Sequence, residues 1–124
     1  DAFGLSVPLP DVEQRAREAL QFEAHCEAMP RGMMPNMINV QRFRDARFAQ
    51  TALSALAEHG PPVAVIVGAG HARNDWGVPA AIALRAPDVR VYSIAFIEID
   101  EGAPFDEIRI VPQAERSDPC DAFK

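Results

Sequence analysis

The chain is poor in lysine, in cysteine and in long apolar runs, and each shortage excludes something. Lys124 is its single lysine beside eleven arginines, and the net charge is −6 over 124 residues. An acidic surface argues against a nucleic-acid groove, whose affinity comes largely from neutralised phosphates. No apolar stretch approaches the roughly 20 residues a membrane helix needs. Two cysteines, Cys26 and Cys120, are too few for a disulfide framework and allow one bridge or none. A bridge would join the first helix to the tail and suit an oxidising compartment; two free thiols would suit the cytosol. There is no P-loop, no G-x-S-x-G elbow and no H-E-x-x-H, so serine nucleophiles are not expected. GAGHAR (68–73) is a poor dinucleotide fingerprint, because Arg73 stands where a third glycine belongs. The chain starts at Asp1 with neither a methionine nor a signal peptide, which reads as a processed or trimmed product.

What is present is one compact domain's worth of sequence. Its most informative stretch is VAVIVGAGHARNDWGVP (63–79). Five apolar residues lead straight into Gly68, Gly70 and His71. Such a run predicts a strand buried on both faces, the usual state of a parallel-sheet strand. Ligands of open α/β sheets bind beyond the carboxyl ends of such strands, where His71 stands. Upstream, residues 1–10 read as an arm. Asp11 is a candidate N-cap for a helix over 12–29, closed by Pro30. A second helix is expected from Pro35 to about His59, stopped by Gly60-Pro61-Pro62. Downstream, a short helix from Val78-Pro79 to Ala86-Pro87 and a strand over 89–99 complete a right-handed βαβ unit. EIRIV (107–111) alternates as a further, more exposed strand, and 112–124 reads as an irregular tail. The fold class is therefore α/β: two long helices, then a βαβ unit and a further strand, packed on a small mixed sheet.

Polar residues stand on faces that helical phase marks as apolar. At about 100° per residue, the stripe of the first helix holds Val12, Ala16, Ala19, Leu20 and Cys26, with Glu23 in its middle. The second stripe holds Met34, Ile38, Phe48, Ala49, Ala52 and Leu56. Gln41 and Asp45 fall on it, and Arg44 flanks it. Burying an unpaired charge costs several kcal/mol, so these groups should pair or line a cavity. Arg44 is the expected partner of Asp45 or Glu23. Either the groups form an internal salt-bridge network that docks two helices, or they face the His71 turn as the wall of a ligand site.

Among metal ligands, His71, His25, Cys26, Glu23 and Asp75 are available. Glu23 and Cys26 share a helix face and His25 points away from it, as an exposed helix histidine would. His59, at a helix C-terminus, reads as structural. Met29, Met33, Met34 and Met37 cluster at the interhelical turn, where packing is the default and a pocket for a flat cofactor the alternative. Tyr92 could ligate ferric haem, but its place within a strand favours a core or sheet-face role.

EAHCEAMP (23–30), NVQRFRDARFAQ (39–50), GAGHARNDWGVP (68–79) and a closing DPC (118–120), in this order, resemble the ChaN-like haem-binding uptake proteins of the Tiki/TraB/EreA-like superfamily. The likeness runs from about residue 20 to the C-terminus. It implies an α/β fold and a role in haem or iron handling, in bacterial proteins that are exported, periplasmic or membrane-associated. The family's Gly-Asn-Gly-His motif falls on Gly68, Ala69, Gly70 and His71. Its Gln-Arg-x-Arg-Asp segment falls on Gln41, Arg42, Arg44 and Asp45, and its Glu-x-His-Cys segment on Glu23, His25 and Cys26. Ala69 replaces the motif's asparagine. A preceding half with a Gly-Glu-x-His motif is absent, so the resemblance implies the C-terminal half of a longer protein, or a homo-oligomer that completes the sheet.

The expected ligand is haem or an iron species, with His71 facing the metal. Glu23, His25, Gln41, Arg44, Asp45, Gly68, Gly70 and Arg73 would line the site, and a membrane-associated transport partner is implied by the resemblance. The rival is a metal-assisted or general-base hydrolase in which Glu23 or His71 activates water and Arg44 stabilises negative charge.

Overall fold

The computed structural model describes residues 1–123, so Lys124 at the end of the expected tail lies outside them. The class is mixed α/β. Helix α1 spans Asp11–Ala24, and a 3-10 turn at Arg31–Met33 leads into the long helix α2, Met34–His59. A single turn, α3, covers Ala69–Ala72, and α4 covers Val78–Arg85. Strands β1 (Ile94–Ile97) and β2 (Glu107–Ile110) form a parallel pair in which Ile94 stands opposite Glu107. A last 3-10 turn occupies Pro119–Phe123.

Helix α2 has 26 residues, about 39 Å at 1.5 Å per residue. Pro35 starts it, since a missing N–H costs nothing in the first turn. Gly60 ends it at φ 77°, a conformation that glycine adopts without strain, and its N–H closes on the Leu56 carbonyl at 2.9 Å. The core lies where α2 meets α4: Ala49 and Ala52 pack against Val78 and Ile82, with Phe3, Phe48 and Leu53 at the margin. Small residues on α2 let the two helices approach closely.

Helix α1 departs from its expected phase. Val12, the first residue of the expected stripe, is 74% exposed, and Ala16, Ala19 and Glu23 are exposed as well. Arg17 and Phe22 are buried in their place. The helix has few large apolar residues, so its alanines gave the periodicity little weight. An arginine stem is itself apolar, and Arg17 lays its guanidinium 5.0 Å from the Trp76 ring centre while bridging to Glu13. The helix also stops at Ala24 rather than Met29, and Pro10, not Asp11, occupies the cap.

The second departure concerns 63–67. No residue of this stretch enters a ladder, and Ile66 is 98% exposed. It is therefore not buried on both faces. Its alternation is still strand-like, for Val63, Val65 and Val67 line a groove of about 390 Å³ against Leu53, Leu56 and Ile82. The opposite wall is formed by 89–94, of which only Ile94 belongs to a ladder. Strand pairing is a property of two segments, and no ladder joins 63–67 to another segment among the described residues. Both cysteines are joined, Cys26 to Cys120, tying the end of the chain to the turn after α1.

Candidate functional site

The site is built where the turn after 63–67 meets α2. Gly68 accepts a hydrogen bond from the His71 N–H at 2.9 Å, which curls the chain into α3 and turns the imidazole towards the helix. There the His71 Nδ1–H donates to Asp45 Oδ1 at 2.6 Å, in a buried contact. A carboxylate accepts, so in the neutral ring this bond places the proton on Nδ1 and the lone pair on Nε2. No hydrogen bond joins Nε2 to the described residues. Phe48, one turn along α2 from Asp45, packs edge-on against the ring at 5.4 Å between centroids and fixes its plane.

Burial pushes the Asp45 carboxyl above its ordinary value of 3.8, against the opposing pull of the His71 hydrogen bond and the nearby charges of His71, Arg17 and Arg44. The side chain is thus desolvated and its one close partner is the imidazole. Arg44, expected to pair with it, is exposed and approaches the Phe48 ring instead, 6.0 Å from its centroid.

A small cavity of about 30 Å³ adjoins this pair. Gln41, Gly70, Arg17 and Trp76 share its lining with Asp45 and His71. It has room for a water and the polar partners to hold one. Gly68 and Gly70 leave the approach bare: a Cβ on either would meet no atom within 4 Å. Gly77 is the opposite case, because a Cβ there would stand 2.3 Å from the His71 carbonyl oxygen and 2.7 Å from that of Arg73. Its N–H closes on the Arg73 carbonyl at 3.1 Å, so α4 begins hard against the histidine turn. Gly77→Ala is expected to lower stability by about 2 kcal/mol or more, since backbone rather than a flexible side chain must yield. Thermal unfolding measures this; an unchanged melting temperature would mean that the turn has slack.

Of the sequence-selected residues, Gln41, Asp45, Gly70 and His71 converge on one cavity. Arg73 lies beside it but is engaged, bidentate to Asp75 at 2.9 and 2.6 Å and stacked 3.8 Å from the Trp76 ring centre. Glu23 and His25 do not take part. Glu23 is exposed near the end of α1, and the His25 ring turns back to the Gln21 carbonyl at 2.8 Å. Arg17 and Trp76 were missed. The signal for Arg17 was available, because Glu13, Arg17 and Gln21 recur at i, i+4 on one face. The apolar residues Val12, Ala16 and Ala19 mark a different face, which is exposed. Tyr92 is exposed, with its hydroxyl 3.4 Å from Glu107, and has no core role.

A family model described as haem-binding uptake, Tiki superfamily, ChaN, matches residues 3–82. The match includes Arg17, Asp45, His71 and Trp76 and stops before β1. No curated protein and no solved structure matches the chain. The extent of the family match, with the His71 turn and the Asp45 helix both inside it, places this chain in the ChaN family of the Tiki superfamily.

Proposed function

We propose that the chain binds haem through His71, in haem or iron uptake. The observation that carries this reading is the buried bond between His71 Nδ1 and Asp45. A carboxylate on the far nitrogen fixes the tautomer and orientation of a metal-binding imidazole. The donor set fits haem better than a bare ion. Haem carries its own nitrogen ligands to the iron, and His71 would be the donor that the chain adds. A bare structural ion needs about four protein ligands, and no group of three His, Cys, Asp or Glu able to hold one occurs among the described residues. Arg44 forms no ion pair among those residues and suits a propionate. Bound haem would supply the iron; the chain would supply the oriented imidazole, bare glycine backbone and a cation.

The test is a haem titration followed in the Soret band. A saturable shift is expected, weakened at least tenfold by His71→Ala with circular dichroism unchanged. No shift at all, or a shift indifferent to His71→Ala, overturns the reading. If no haem binds and the chain cleaves esters in a His71-dependent way, the hydrolase reading takes its place, with His71 as base and Asp45 as orienter. Glu23 would have no part in it, since it does not line the cavity.

The free backbone of 63–67 supports a further strand, which we assign to a second copy of the chain. The stretch has no charged residue to oppose self-pairing, and unpaired edges associate. Light scattering is expected to give a dimer that Ile66→Lys dissociates; a wild-type monomer would assign the strand to more of the same polypeptide. The Cys26–Cys120 bridge supports an exported or periplasmic location. Oxidised thiols in protein isolated from its source would agree with this, and reduced ones would overturn it.

A further inference from the structure

We propose that the space beneath the N-terminal arm is a second binding site, taking a small amphiphile whose carboxylate is gripped by Arg17 and Arg42 and whose apolar body lies among leucines and Trp76. The inference does not rest on the haem reading, and His71 is not among the residues that line this space.

The cavity measures about 320 Å³, within the range of small-molecule sites. Leu5 and Leu9 of the arm form one side, and Leu84 of α4 and Trp76 the other. Arg42 holds the arm in place by donating from Nη2 to the carbonyls of Gly4 at 2.7 Å and Val7 at 2.9 Å. The arm is thus a cover stapled by one of the two cations it conceals.

Arg17 is the unusual member. It is 9% exposed, and its Nε is buried with no hydrogen-bond partner. An unsatisfied buried donor costs about 1–3 kcal/mol, more when charged, and a guanidinium cannot escape by losing its proton. Glu13 occupies Nη2 only. Asp45, a carboxylate in the lining of this cavity, is committed to His71. Arg42 is disfavoured as a cation first by burial and then by the charge of Arg17. Two guanidiniums therefore face one apolar space in a chain whose net charge is −6. An anion between them would relieve the repulsion. The planar fork of arginine matches a carboxylate in particular. The leucines and Trp76 exclude a wholly hydrated anion and ask for an apolar body attached to it.

Trp76 is the sole tryptophan, so its emission reports on the cavity directly. Decanoate is the probe, and decanol, with the same body and no charge, is the control. Decanoate is expected to shift the emission saturably, and decanol is not expected to do so at the same concentration. Arg17→Met should weaken decanoate binding tenfold or more. Should that variant fail to fold, Ala80→Leu fills the cavity while keeping both guanidiniums, and it should lose decanoate equally. An absent response, equal binding of decanol, or wild-type affinity in either folded variant overturns the proposal. Arg17, Asp45 and Trp76 line both this space and the cavity at His71, whereas Ala80 lines this space and not the other, so Ala80→Leu separates the two sites: lost decanoate binding with haem binding kept is expected.

Discussion

Asp45→Ala is expected to cost about 3 kcal/mol of stability and to weaken haem binding by 10–100-fold. Both effects have one cause. The substitution leaves a buried imidazole N–H with no acceptor, and breaking such a pair from one side costs more than the pair itself contributes. The ring is then free to rotate and to change tautomer, and loss of an outer-shell carboxylate has this range of effect on metal affinity. Urea unfolding and a Soret titration measure the two quantities. Loss of stability without loss of haem affinity would mean that the pair is structural alone. The pH dependence separates the charge from the contact. Burial raises the folded-state pKa of Asp45 above its unfolded value, so the native state holds this proton more tightly. The contribution of Asp45 to stability is then greatest below its ordinary value of 3.8 and declines as pH rises through the folded value. Asp45→Asn should flatten that part of the stability profile; a wild-type slope in the variant would assign it to other groups.

The second large effect is expected at the disulfide. Cys26 and Cys120 are 94 residues apart in sequence. Closing a loop of that size removes about 4.7 kcal/mol of denatured-state entropy in the chain-entropy model. Cys120→Ser, or reduction of the wild type, should shift the urea midpoint accordingly. Local consequences should be uneven. Another anchor of the tail is Glu98, which pairs bidentately with Arg116 at 2.7 and 2.8 Å and accepts from the Ala114 N–H at 3.2 Å. That pair is exposed and contributes little alone. Amide exchange in 112–123 should therefore accelerate on reduction, while the Ala49–Val78 core keeps its protection. Uniform acceleration across the chain would show that the bridge supports the whole fold rather than its end.

These two effects act at different distances from what could be read in advance. The Asp45 position was legible because it shares a face of α2 with Met34, Ile38, Ala49 and Ala52, which are buried, and a carboxylate on that face needs an explanation. Its partner was not. Arg44 is adjacent in sequence and opposite in charge, which made it the natural choice. The geometry instead brings His71 from 26 residues away, and the guanidinium of Arg44 stays outside in solvent. Glu23 fails for the opposite reason. In α1 the periodic signal is carried by alanines, whose burial gains little, so an arginine packed on Trp76 sets the phase. The bridge between Cys26 and Cys120 was one of two open alternatives, and proximity alone decided it.

Local chain chemistry was sufficient for α2, the His71 turn and β2, but not for the end of α1, a strand at 63–67 or the full length of a strand over 89–99. Pro35 and Gly60 bound α2, glycines turn the chain at His71, and alternation marks β2; each depends on residues within a few positions of one another. Contacts between distant segments depended on packing: the choice of His71 over Arg44, the inward turn of Arg17, and the unladdered state of 63–67. A strand's apolar pattern states that it wants neighbours, but hydrogen-bond partners come from other segments, and their presence is a fact of three-dimensional assembly.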